Sequence, residues 1–221
     1  METFILRVLI HSHFMKKVLF VTAISLTIGF VVAFTATSRA AYETAPFTVI
    51  YKEGAVEIRD YPALTTVTTS APVNGDRDGR FMKLFGYISG KNEQQQKIKM
   101  TTPVFMDAAK GQSKMSFVVP AKVAAAGAPT SGTADVVVEK RPAARYAVLR
   151  FNGLRRTAQE EKALAQLRLW LSEKRMSSVG EAVFAYYDAP WIPGLLRHNE
   201  VLLKITAPPA GAAPKTKQGY R

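Results

Sequence analysis

The sequence has no cysteine. That excludes disulfides, thiolate metal sites and cysteine nucleophiles, so packing alone has to hold the fold. Histidine is almost as scarce: His11, His13 and His198 are the whole supply. The first two precede an N-terminal apolar run, which leaves His198 as the single imidazole in the body of the chain. Carboxylates are few, 17 against 30 lysines and arginines. There is no Gly-x-Ser-x-Gly, no His-Glu-x-x-His, no Walker loop and no dinucleotide fingerprint. No serine stands at a sharp strand-to-helix elbow, and Glu160 and Glu161 read as residues of a helix start. With no catalytic constellation, the chain reads as a binding protein and not as an enzyme.

What the chain has in excess is positive charge, +13 with an isoelectric point near 10.0. At the N-terminus Met15-Lys16-Lys17 leads into an uncharged run, Val18 to Thr37, and then Ser38-Arg39-Ala40-Ala41. A basic start, an apolar run and small residues at its end describe a signal peptide cleaved after Ala40. The run also has the ~20 residues that an uncleaved membrane anchor needs. Both readings place the following domain across a membrane, periplasmic or secreted, tethered by residues 18–37 in the second case. Residues 1–40 carry Arg7, Lys16, Lys17 and Arg39 against Glu2, so +10 of the +13 belongs to the rest. That charge favours an anionic lipid or a ligand with carboxylates. No lysine or arginine run is long enough for a nucleic-acid arm, and none is expected to bind there.

The chain after residue 40 contains two look-alike stretches. "VEIRDYPALTTVTTS" starts at Val56 and "VVVEKRPAARYAVLRF" at Val136. Setting Pro62 on Pro142 aligns Ile58 with Val138 and Val67 with Ala147. Each stretch is followed by a helix pattern, a strand with a proline-bearing turn, and a final apolar strand, "KMSFVVPA" or "EVLLKITAPPA". Two halves of the order β-β-α-β-β, about 45–121 and 134–207, predict a pseudo-twofold α+β domain over 41–207. Between them "AKVAAAGAPTSGTA" reads as a small-residue loop. Residues 208–221 have no apolar period and are expected to be disordered.

The first helix is expected from about Asp76 to Ser89. Phe81, Leu84, Phe85 and Ile88 form its apolar stripe, Met82 flanks it, and Gly90 suits the residue after a helix end. The second opens on Thr157-Ala158-Gln159-Glu160, a capping box. Behind it Leu164, Leu167 and Leu171 share a face, with Ala163 and Trp170 widening the stripe. On the first helix Arg77, Arg80 and Lys83 interleave with Phe81, Met82, Phe85 and Tyr87. Such a rimmed stripe is either plain core or a cover for a flat apolar ligand that bears carboxylates.

Three segments, "FMKLFGYISGKN", "KIKMTTPVFM" and "PWIPGLLRHNEVLL", together resemble the SOUL haem-binding family. The matching residues are Tyr87, Gly90 and Asn92; Met100, Thr101, Thr102, Pro103 and Val104; then Pro190, Pro193, Arg197, Asn199, Glu200 and Val201. The resemblance spans roughly Ala45 to Ala207. It implies a distorted eight-stranded antiparallel β-barrel or sheet with two α-helices, built from two similar halves. It also implies non-covalent binding of haem or another tetrapyrrole in an apolar surface cleft beside the first helix; separately, the chain is expected to be a monomer. Carried over, that cleft is Arg77, Arg80, Phe81, Phe85 and Tyr87 or Ile88, with the basic side chains near the propionates. Where the family often has a second arginine before Asn-Glu, this chain has His198. That residue is either an axial iron ligand or part of a turn, and Arg197 and Glu200 beside it read as a structural pair. Fold does not fix ligand, so a haem-modifying enzyme, or a binding domain for another amphipathic ligand or an envelope protein, are the alternatives.

Overall fold

A computed structural model of the chain describes residues 42–72, 77–109 and 112–206, together with Met15, residues 20–22 and Ser25. The chain divides into Met1–Ala41 and Tyr42–Arg221. In the first unit the five described residues are helical, and the Ser25 hydroxyl donates to the Val21 carbonyl at 2.9 Å. Among the described residues no helix is long and apolar enough to cross a membrane. Most of the run from 18 to 37, and the tail 208–221, lie outside the described residues.

Runs of β-branched and aromatic residues build the strands of the second unit. They are β1 (Glu43–Thr44), β2 (Thr48–Glu53), β3 (Val56–Tyr61), β4 (Leu64–Pro72), β5 (Thr101–Thr102), β6 (Val104–Ala109) and β7 (Gln112–Val118). Then come β8 (Val136–Arg141), β9 (Ala144–Asn152), β10 (Val183–Tyr186) and β11 (His198–Lys204). The helices are α1 (Arg77–Ile88), α2 (Ala121–Ala126) and α3 (Thr157–Glu173), with a 3₁₀ turn at Gly194–Leu196. Nine strands form one curled antiparallel sheet in the order β2-β3-β9-β11-β10-β6-β7-β4-β8, and β1 pairs with β5 in parallel.

Without β2 that order is a palindrome of the two halves. Each half gives its first strand to the other: β3 pairs with β9, and β8 pairs with β4. The register matches as well as the order. Ile58 faces Ala147 and Val67 faces Val138, two pairs that the Pro62-on-Pro142 alignment interconverts. At the centre β6 meets β10 with Met106 opposite Phe184. The strand count exceeds the expected eight because "TVIYKE" of β2 adds to the open edge of β3.

Side-chain alternation gives the sheet two apolar faces. On one face α3 lays Ala163, Leu167 and Leu171 on Ile58, Ala147, Leu149, Val201 and Leu203. On the same face α1 lays Leu84, Tyr87 and Ile88 on Val67, Met106, Met115, Phe117 and Val136. The opposite face buries Tyr61, Phe105, Tyr146, Val148, Val183 and Leu202.

Three local expectations change. The segment after Pro120 is not all loop: its alanine run makes the short helix α2, in keeping with alanine's high helix propensity. At α3 the N-cap is Arg156 and no side chain caps it. Glu160 instead accepts from the Tyr186 hydroxyl at 2.7 Å, so a tertiary bond replaces the capping box. On α1 the buried stripe is rotated toward Tyr87, because its hydroxyl finds the Pro129 carbonyl at 2.6 Å inside the core, while Phe85 turns out to solvent.

Candidate functional site

Helix α1 ends in a Schellman motif. The Lys91 N–H bonds the Gly86 carbonyl at 2.9 Å and the Gly90 N–H bonds Tyr87 at 3.3 Å, with Gly90 at φ +108°. Buried Asn92 completes the stop. Its amide donates to the carbonyls of Tyr87 (2.9 Å) and Gln96 (2.7 Å), and its oxygen accepts from the Gln96 N–H (3.0 Å). The Tyr-x-x-Gly-x-Asn stretch therefore fixes the end of the helix. The same holds for the other two segments. Thr101 donates its hydroxyl to Val118 at 2.5 Å. Arg197 donates to the carbonyls of Ile192 (2.8 Å) and Pro190, and Asn199 donates to Gly153 at 2.9 Å.

The outward side of α1 is apolar. Phe85 is 44% exposed and Met82 60% exposed. The Phe85 ring stacks on Phe81 at 6.1 Å and 14°, and Phe81 meets Phe117 edge-on at 5.2 Å. Gly86 adds a stretch with no side chain, and the stem of Lys91 lies beside it, 3.2 Å from where a Cβ would stand. Lys83, two positions from both Phe81 and Phe85, points away from that surface and pairs with Asp135 at 2.6 Å; that bond lowers the Asp135 carboxyl below its usual range. The result is an exposed apolar surface of Met82, Phe85 and Phe81 with one cation, Lys91, beside it.

Of the residues expected to line the cleft, Phe81 and Phe85 form this surface. Arg80 is buried and donates to the Ser113 carbonyl at 2.8 Å, so it does not reach the rim. Tyr87 and Ile88 are in the core beneath. Arg77 opens the helix, and its side chain is outside the described residues. Met82, expected only as a flank of the stripe, Gly86 and Lys91 also belong to the surface.

His198 is elsewhere, on the opposite face of the sheet, in a buried polar network. Its Nε2 lies 2.7 Å from Glu200 Oε1, and its ring stacks on Tyr187 at 4.2 Å and 3°. Glu200 is fully buried. It accepts from both terminal nitrogens of Arg59 (2.8 and 2.9 Å) and from the Tyr187 hydroxyl (2.9 Å). Burial pushes the Glu200 carboxyl up, but hydrogen bonds from His198 and Arg59 and the charge of Arg59 outweigh it and hold it at about 2. Burial and the neighbouring Glu200 charge push the Tyr187 hydroxyl far up. Arg197 does not pair with Glu200. Three residues apart along an extended chain, they point to opposite sides.

The same face holds a second fork, Arg141 to Asp107, with two bonds of 2.9 Å and the guanidinium 4.7 Å above the Phe105 ring. A separate recess of about 280 Å³ lies against α2, lined by Ala45, Leu64, Val118, Ala121, Ala124 and Lys140 among others. It falls below the ~300–1,000 Å³ of ordinary ligand pockets, so a porphyrin does not fit inside it. Among the described residues no three side chains of metal-ligating type come together.

Comparisons with known proteins follow the same lines. The sequence profile described as "SOUL heme-binding protein" matches residues 42–204. Heme-binding protein 2 of Mus musculus is 32% identical over 171 residues, covering 72% of this chain and 82% of that protein. Among solved structures, the C-terminal domain of EcmrR superposes with a TM-score of 0.53 at 11% identity, over 68% of this chain and 96% of that one. A hydrolase from Listeria innocua superposes with a TM-score of 0.50 at 8% identity, over 71% and 94%. At these identities the two structures share the fold.

Proposed function

This chain belongs to the SOUL haem-binding family, and on that premise we propose that it binds haem or another tetrapyrrole non-covalently on the aromatic surface of α1. In this reading it acts outside the cytoplasm, as a monomeric buffer or carrier. The observation that carries the proposal is Phe85, exposed and stacked on Phe81 beside Met82. That is a flat apolar platform of the kind a porphyrin face needs. Lys91 supplies a cation for a propionate, through a charge-assisted bond at the rim. A porphyrin face of several hundred Å² returns several kcal/mol at ~25 cal/mol per Å², before ordering costs.

Phe81 and Phe85 would hold the ring, and haem when bound would supply an iron centre whose ligation sets its redox potential. The protein's own part is to bind, orient and shield one face. His198, Glu200, Arg59 and Tyr187 answer one another on the far side of the sheet, while buried Arg80 and Tyr87 near α1 are spent on backbone carbonyls, which supports a binding role over turnover. His198 is engaged by Glu200 there, so this reading leaves the iron without it.

Titration of the purified protein with haemin, followed by absorbance, tests the reading. A saturable Soret shift at one equivalent is expected, and Phe85→Asp should weaken binding by about tenfold or more. Binding that is unaltered in Phe85→Asp would remove α1 as the site.

A further inference from the structure

The turn from Pro190 to Leu196 presents apolar side chains to water. Leu195 is 87% exposed and Trp191 64%. Leu196 and Leu154 are also exposed, and Leu154 belongs to the same patch: a Cβ on Gly194 would stand 2.7 Å from its Cγ.

This turn is rigid by construction. Ile192 is buried beneath it. The N–H groups of Ile192, Leu196 and Arg197 donate to the carbonyls of Ala189 (3.1 Å), Pro193 (2.9 Å) and Gly194 (3.1 Å). The Arg197 guanidinium bonds two more carbonyls from the side. A segment this ordered has already lost the entropy that docking otherwise costs. Cations stand beside it. Arg155 and Arg156 directly follow Leu154; Arg156 is exposed, while Arg155 lies over the Tyr186 ring at 4.1 Å and 3.6 Å from Glu160.

We propose that this turn docks on an anionic lipid bilayer, with Trp191 and Leu195 entering the boundary between headgroups and acyl chains and Arg156 facing the lipid phosphates. Three observations favour a bilayer. The patch is a tip of four side chains, on the order of a few hundred Å², against the ~800 Å² that each partner buries in a standard protein interface. An amphipathic indole and a leucine backed by arginine is the mixture found at membrane interfaces. The chain's charge of +13 draws it to an anionic surface. The inference does not depend on haem binding, and its test contains no haem.

Fluorescence reads the turn directly, because the chain has two tryptophans and the N-terminal stretch holds neither. The full-length Trp170→Phe protein reports from Trp191 alone. It would be mixed with vesicles of phosphatidylcholine, or of equal parts phosphatidylcholine and phosphatidylglycerol, with brominated acyl chains in each. The expected result is a blue shift and strong quenching on the anionic vesicles, much less on the neutral ones. Adding Leu195→Asp should weaken the quenching titration by about tenfold or more without changing the melting temperature. Trp191 emission that stays unshifted and unquenched on anionic vesicles overturns the proposal. So does equal quenching in Leu195→Asp. A blue shift that grows with protein concentration in the absence of lipid also overturns it, in favour of a protein partner at the tip.

Discussion

Replacing Arg59 by methionine would leave the Glu200 carboxylate buried without its two-pronged donor. Breaking one side of a buried pair costs about 3–5 kcal/mol, a large share of the ~5–15 kcal/mol by which domains are stable. The pH dependence sharpens the test. Glu200 titrates at about 2 in the folded protein against 4.5 for an unperturbed glutamate. A depressed folded value means that the contribution is full above pH ~4.5 and is lost as pH falls toward ~2. The difference corresponds to about 3 kcal/mol, of which about 2 kcal/mol is gone by pH 3. Urea unfolding at pH 7 and pH 3, followed by circular dichroism, measures both quantities. Wild type should lose more stability between those pH values than Glu200→Gln, which has no carboxylate to titrate. Arg59→Met should show the opposite slope at this site, gaining from protonation of the stranded acid. The double variant Arg59→Met with Glu200→Leu should recover most of the loss. The reasoning is refuted if Arg59→Met costs under about 1 kcal/mol, or if Glu200→Gln has the same acid sensitivity as wild type.

Two further outcomes follow from the contacts around Asn92 and His198. Asn92→Ala should lower stability by about 1–3 kcal/mol, since the Gln96 carbonyl and N–H lose their partner and the buried Tyr87 carbonyl keeps only the Gly90 N–H; differential scanning calorimetry would register it as a lower Tm. His198→Ala should leave the absorbance of the haem complex unchanged while destabilising the fold by about 1–3 kcal/mol, through the lost bond to Glu200 and the lost stack on Tyr187. A changed Soret spectrum with unchanged stability would instead make the imidazole an iron ligand.

The frame was legible because a repeat constrains two places at once. One alignment, Pro62 on Pro142, carried the two cross-half registers with it. Helix periodicity placed α3's Leu167 and Leu171 in the core. Local signals misled where distant partners outbid them: Glu160 left its cap for Tyr186, and Tyr87 displaced Phe85 from the core side of α1. The Arg59–Glu200 pair joins residues 141 apart, and no periodicity links such positions. The segments that resemble the family turn out to shape the chain, by closing α1, bracing the 190s turn and satisfying strand ends. They announce the fold more directly than they mark where a ligand touches.

The exchange of first strands between the halves has a consequence for how the molecule is made. A ribosome delivers β3 and β4 early, yet their neighbours β9 and β8 are not translated until residues 136–152. The N-terminal half therefore leaves the ribosome with these two strands and β6 each short of a neighbour, and its sheet closes only when the second half arrives. A nascent chain of this design carries open strand edges until its second half is made, and β6 waits longest, for β10 at residues 183–186.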